Sequence, residues 1–322
     1  MAAAQRAKLD LGFLDVIATT RPDAAVLCEG EPCWRQRIEM MASKERKILG
    51  KGNFGTVFAI VDSSGKVPVR YAVKRTPTKD DFSCNEFEMA RLLRSKVNKV
   101  GIFNNVDCWF TQSYLYLVMK IANTSLLICI KIGKIPRDAR WLILGQCLHG
   151  LDFLHKLDII HCDLKPANIL LSKQYGAQIC DFATATKHPG KQFGTYRYMP
   201  PEQILDRSRP ATKKVDTWAI GLITVEMLIG GHTQGADETS TTVDDLERDY
   251  QKEYNPVTCL NGINDDYVST EVAKCCLHLD PQQRASVDFL VQEYFQNIPQ
   301  STQHAICELI DDTQCRAHGS SM

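Results

Sequence analysis

His161-Cys162-Asp163-Leu164-Lys165-Pro166-Ala167-Asn168 is the stretch on which the reading of this chain turns. It follows an apolar run and brings a carboxylate, an ammonium and an amide close together in sequence. Such a set can hold a hydroxyl, take its proton and balance negative charge nearby. Working outward, Asp181-Phe182-Ala183 follows a second apolar stretch, 177–180. Far upstream stands Gly50-Lys51-Gly52-Asn53-Phe54-Gly55-Thr56-Val57, and after it Tyr71-Ala72-Val73-Lys74. The glycine motif lies between two β-like runs, which disfavours a strand-to-helix dinucleotide turn. Glycines there instead let a hairpin backbone lie close over phosphates. A lone lysine at a strand end is usually solvated; beside such a loop, Lys74 is a candidate phosphate ligand.

The rest of the chain sets the frame. Its 322 residues suggest two compact units, at roughly 150 residues per domain. Apolar residues make up 44% and charged residues 24%. The 38 basic residues balance 38 acidic ones, so a general affinity for polyanions is not expected. No run approaches the ~18–20 apolar residues that span a bilayer; the best, 220–229, is short and carries Glu226. No secretory signal is readable. A soluble intracellular chain is therefore expected, in cytoplasm, nucleus or both, without nucleic-acid or membrane partners. The 13 cysteines read as reduced thiols, with Cys275 and Cys276 adjacent. Cys28 and Cys33 lack the second pair that a zinc site needs.

Short β-rich runs at 48–49, 56–61 and 69–73 precede a helical spacing over 82–94, then strand candidates at 107–110 and 115–119. After Ala122 the pattern turns to longer helices, notably 137–155 and 215–228. A small β-rich half thus precedes a larger helical half, with residues 120–123 as the junction. A two-lobed molecule with a ligand cleft between the lobes is expected.

At this point the chain resembles the eukaryotic-type protein kinase family, on its serine/threonine branch, over residues 45–297. The order of glycine loop, strand lysine, Asp163 and Asn168, then Asp181 carries the resemblance. So do Gly194-Thr195-Tyr196-Arg197-Tyr198-Met199-Pro200-Pro201-Glu202, Asp216-Thr217-Trp218 and Leu279-Asp280-Pro281-Gln282-Gln283-Arg284. The resemblance implies an α+β, bilobal protein kinase-like fold with N-lobe 45–119, hinge 120–123 and C-lobe 124–297. An N-terminal extension 1–44 and a C-terminal tail 298–322 flank it.

It also implies roles. Asp163 would orient the acceptor hydroxyl and take its proton, and Lys165 would neutralise the γ-phosphate. Asn168 and Asp181 would bind Mg²⁺, with Mn²⁺ as the alternative ion. ATP would lie under Ile48, Leu49, Gly50, Lys51, Gly52, Asn53, Phe54, Gly55, Thr56 and Val57. Its adenine would meet Val57, Ala72 and Leu170 with Met119 as gatekeeper, read by the backbone of Lys120 and Ala122. Lys74 would hold the α- and β-phosphates, with Glu86 or its rival Glu88 as helix partner. Glu202 and Arg284 would form a buried structural ion pair. Protein substrates are implied, and oligomeric state is left open. A nucleotide-binding or scaffold pseudokinase is the alternative, and a small-molecule kinase a further one.

Departures from the family pattern carry expectations of their own. Cys162 replaces the arginine that usually pairs with an activation-loop phosphate, so activity without loop phosphorylation is expected. Ala183 stands where glycine is usual, which should make the segment flip less readily. Ala167 is no acid, and Lys187, His188, Lys191 and Arg197 point to acidic or pre-phosphorylated substrates, or to a solvated basic loop. Cys180 reads as a small packed residue or as a reachable thiol. Thr184, Thr186 and Tyr196 are possible autophosphorylation sites.

Overall fold

A computed structural model describes residues 33–43, 47–52, 55–78, 81–94, 101–103, 105–187, 194–231, 243–251, 255–263, 266–298 and 303–319. They form two compact units. One comprises residues up to Arg91 together with Asn105–Ile121; the other comprises Leu92–Asn104 with everything from Ala122 on.

The first unit is an antiparallel sheet of β1 (Ile48–Gly52), β2 (Gly55–Asp62), β3 (Val69–Pro77), β4 (Asn105–Phe110) and β5 (Tyr114–Lys120), ordered β1-β2-β3-β5-β4. Alternation along the strands sorts its two faces. Val73, Trp109, Tyr116 and Val118 share one apolar cluster, and Cys108, Leu115 and Leu117 another. A helix covers each. α1 (Trp34–Ser43) sends Ile38 and Ala42, one turn apart, into the first cluster. It is pinned by Arg35, which donates to both oxygens of Asp107 at 3.0 and 3.2 Å, and by Glu39, which accepts from the Trp109 indole at 2.6 Å. α2 (Asp81–Arg94) sends Phe87 and Ala90 into the second cluster. α1 lies inside the stretch read from sequence as an extension.

The second unit is helical around a small antiparallel sheet of β6 (Thr124–Ser125), β7 (Ile169–Ser172) and β8 (Gly176–Ile179). Its helices are α3 (Leu126–Ile132), α4 (Arg137–Lys156), α5 (Pro201–Leu205), α6 (Lys213–Ile229), α7 (Val243–Gln251), α8 (Tyr267–Cys276), α9 (Val287–Tyr294) and α10 (His304–Gly319). α6 is mostly apolar and buried along nearly its whole length, its buried Asp216 and Glu226 being hydrogen-bonded. Thr212 caps its start by accepting from Lys214 N–H, and Gly230 ends it in the left-handed region at φ 72°. Residues 101–103, read from sequence as N-lobe, group with this unit. The reason is local: Ile102 pairs in parallel with Ile179, and Ile179 N–H donates to Gly101 at 2.7 Å. In the tail, Ile306, Leu309, Ile310 and Thr313 form one buried stripe of α10, packed on α3, α4 and β7. Glu202 and Arg284 form the buried ion pair, at 2.8 and 3.0 Å. The fold is therefore α+β, a small antiparallel-sheet lobe and a helical lobe. Among the described residues no helix is long and apolar enough to cross a membrane.

Candidate active site

The first unit supplies a buried cation. Ala72, Lys74 and Thr76 alternate onto one face of β3. Ala72 lies opposite Met119 on β5, and Lys74 stands between Val57 of β2 and Leu117 of β5. Lys74 is only 8% exposed, and a buried ammonium needs a counter-charge. α2 delivers it: Lys74 Nζ donates to Glu86 Oε1 at 2.5 Å. Glu86 is the partner; Glu88 is on the exposed side of the helix. Thr76, absent from the sequence reading of the site, donates from Oγ1 to Glu86 Oε2 at 3.3 Å. The only sequence signal for it was its place two residues beyond Lys74 on a strand.

β1 is largely solvent-exposed, Ile48, Leu49, Lys51 and Gly52 included, while Thr56 and Val57 are half-buried on β2. A Cβ on Gly50 or Gly52 would meet open space. Gly55 differs: at φ 134° its Cβ would run into the Arg75 carbonyl of β3, so only glycine fits this crossing. Asn53 and Phe54 lie outside the described residues. Met119 is half-buried and Lys120 exposed at the end of β5.

The second unit supplies the acid and its surroundings. Asp216, one turn into α6, accepts from the backbone N–H of His161 at 2.8 Å and of Cys162 at 3.0 Å, and lies 2.9 Å from His155 Nε2. This grip holds the loop while Cys162 takes a left-handed backbone, φ 66°. The Cys162 side chain packs on Ile160, Ala211 and Val215. Burial, then the Asp216 and Asp163 carboxylates, push its thiol well up from the ordinary value, so it stays a neutral apolar group. His161 is fully buried; its Nδ1 accepts from Asp163 N–H at 3.3 Å, so Nε2 donates to the Cys180 carbonyl at 3.0 Å. Its ring meets Phe182 edge-on, which ties the loop to the Asp181 segment.

Asp163 collects four donors. Thr195 N–H and Oγ1 both reach Oδ1 at 2.8 Å, while Lys165 Nζ reaches Oδ2 at 2.9 Å and Asn168 Nδ2 reaches it at 3.3 Å. Lys165 Nζ also donates to Thr195 Oγ1 at 2.7 Å, and Asn168 Nδ2 to the Asp163 carbonyl at 2.8 Å. Thr195 gets there because Gly194, at φ 129°, lies where any Cβ would strike the Cys162 carbonyl. Asp163, Lys165 and Asn168 thus come together. Asp181 is half-buried and takes the left-handed backbone of its segment, φ 65°. The strained position there is Asp181, not Ala183, which is buried with ordinary φ. Leu170 is half-buried between Ser125 and Gln178, and Ala122 is half-buried before β6.

As for a metal, Asn168 Nδ2 is committed to Asp163, which fixes the amide with Oδ1 as its remaining donor atom. One amide oxygen and one carboxylate suit Mg²⁺, which takes few protein oxygens and fills its octahedron with phosphate and water. Among the described residues, no group of three or more His, Cys, Asp or Glu offers a separate metal site.

Several sequence expectations meet a different arrangement. Arg197, grouped from sequence with a basic surface for substrates, is 2% exposed. Lys187 is exposed; His188 and Lys191 lie outside the described residues. Thr184 is buried and donates to the His161 carbonyl at 3.1 Å, so its hydroxyl is a strut and not an open acceptor. Tyr196 is exposed. Cys180 is half-buried, and its N–H donates to the Asn168 carbonyl at 2.9 Å.

Residues 43–296 match the protein kinase domain family. The chain belongs to it. It is 30% identical over 210 residues to the cGMP-dependent protein kinase of Plasmodium berghei (strain Anka), covering 63% of this chain and 24% of that protein. It is 34% identical over 198 residues to the serine/threonine-protein kinase dkf-1 of Caenorhabditis elegans, covering 57% and 27%. To the cGMP-dependent protein kinase of Toxoplasma gondii it is 28% identical, over 62% of this chain and 21% of that protein. The chain spans about a quarter of the length of these relatives. α10 and nearly all of α1 lie outside the matched range.

Proposed function

We propose that the chain is an ATP-dependent serine/threonine protein kinase whose activity does not require activation-loop phosphorylation. The observation that carries this reading is the closed network at Asp163, in which Lys165, Asn168 and Thr195 fix both carboxylate oxygens. A carboxylate so held keeps one orientation towards an acceptor hydroxyl and takes its proton as the new bond forms. Lys165 sets a positive charge beside that carboxylate, where it would offset the negative charge of the γ-phosphoryl group during transfer. Lys74, oriented by Glu86, binds the α- and β-phosphates. Asp181 and Asn168 would hold Mg²⁺, which would supply positive charge to offset that of the phosphates. The serine/threonine assignment is supported by Lys165 and by its bond to Thr195, and by the name of the nematode relative.

Independence from phosphorylation is supported by the Cys162 site. Its backbone is gripped by Asp216 and its side chain packs on apolar neighbours, an anchorage that involves no phosphate. Purified chain offered Mg-ATP with casein, histone and myelin basic protein should transfer phosphate. Asp163→Asn should slow transfer by about 10²–10⁴-fold, the contribution of a positioned base, with ATP still bound. Phosphatase-treated enzyme should keep its rate; loss of rate there would overturn phosphorylation independence. ATP binding without transfer by the wild type would favour the scaffold alternative.

A further inference from the structure

Lys74 and Glu86 account for the phosphate-binding cation, yet Glu86 has a second oxygen to place. Thr76 sits two residues after Lys74 on the same strand face, is 1% exposed, and donates its hydroxyl hydrogen to Glu86 Oε2. Lys74 donates to Oε1 of the same carboxylate. One strand therefore grips both oxygens of the α2 acid, from positions separated by one alternation. A carboxylate held at one oxygen can rotate about its terminal torsion, which is broad and soft. A second donor from the same rigid strand removes that freedom.

We propose that Thr76 is a positioning residue for nucleotide binding: its hydroxyl fixes the Glu86 carboxylate, and through it the direction of the Lys74 ammonium. The inference rests on the proposed ATP-binding role of Lys74. Thr76 touches no nucleotide, so its influence is confined to the part of the ligand that Lys74 reaches. The phosphates should feel its loss, and the nucleoside should not.

The test compares Mg-ATP and adenosine binding by wild type, Thr76→Val and Thr76→Ser, with Tm measured on each. Valine keeps the branched shape and deletes the hydroxyl. It should weaken Mg-ATP binding about tenfold, the scale of one hydrogen bond to a charged group, and leave adenosine affinity unchanged. Serine restores the hydroxyl and should restore Mg-ATP affinity. If valine prevents folding, Thr76→Ala makes the same deletion with less bulk. Equal weakening of both ligands, or no recovery with serine, would show a merely structural threonine and overturn the proposal. Unchanged Mg-ATP affinity in the valine variant would overturn it too. A wild type that bound adenosine but gained nothing from the phosphates would instead remove the role given to Lys74, and the proposal with it.

Discussion

Three glycines in one short loop look alike on paper, and their surroundings separate them. Gly55 crosses β3 with φ 134° and its missing side chain faces the Arg75 carbonyl. Gly50 and Gly52 face open space with no such backbone constraint. Gly55→Ala should therefore lower stability by about 1–3 kcal/mol, the cost of one strained backbone position. In Tm that is a drop of roughly 2–4 °C for each kcal/mol in a chain this size. Gly50→Ala and Gly52→Ala should stay within about 0.5 kcal/mol of wild type. Thermal melts of the three variants without nucleotide decide it. A Gly55→Ala melt matching the other two would mean that β2 and β3 separate more freely than their register indicates.

At the scale of elements, the two helices outside the matched family range each cover apolar surface. α10 buries Ile306, Leu309, Ile310 and Thr313, and its Thr313 hydroxyl reaches Cys129 of α3 at 3.5 Å. Ile310→Ala should cost about 2–5 kcal/mol, as for other fully buried isoleucines cut to alanine. His304→Ala, at an exposed position on the same helix, should change stability by less than about 0.5 kcal/mol. Chemical denaturation of both variants measures the contrast; equal midpoints would mean α10 is not docked in solution. Neither helix was legible as a packed part. α1 fully buries only Ile38 and Ala42, with Trp34 and Met41 partly buried beside them, so its apolar stripe is confined to one helix of ten residues. The partners of α10 lie far back in the chain, and separation of that kind leaves no local trace. The strands of the first unit were legible because alternation is local. Asp163, Lys165 and Asn168 were legible because they are near neighbours in sequence. Thr76 was not, since a threonine inside a strand is an ordinary β-former until its partner ten positions on is known.

Across the whole molecule, the thiols report which parts are closed to solvent. No described cysteine is disulfide-bonded, and their settings range from exposed Cys33 and Cys315 to buried Cys147 and Cys276. The thiolate is the reactive form, so burial protects twice, by blocking access and by raising the pKa. Burial alone pushes Cys147 up to about 12. At pH 8 about one such thiol in ten thousand is then ionised, against roughly a quarter for an ordinary cysteine near 8.5. Cys162 and Cys276 are raised in the same direction, each first by burial. Iodoacetamide at pH 8, followed by peptide mass mapping, should label Cys33 and Cys315 in the native protein. Cys147, Cys162 and Cys276 should react only in denaturant. Cys162 is the informative one, because it sits one residue before Asp163 and its burial reflects the packing of the Asp163 loop on Ile160, Ala211 and Val215. Fast native labelling at Cys162, with Cys147 still protected, would mean that this loop opens while the helical core stays closed. The fixed network around Asp163 would then be an intermittent state, and phosphorylation or a partner would be needed to hold it.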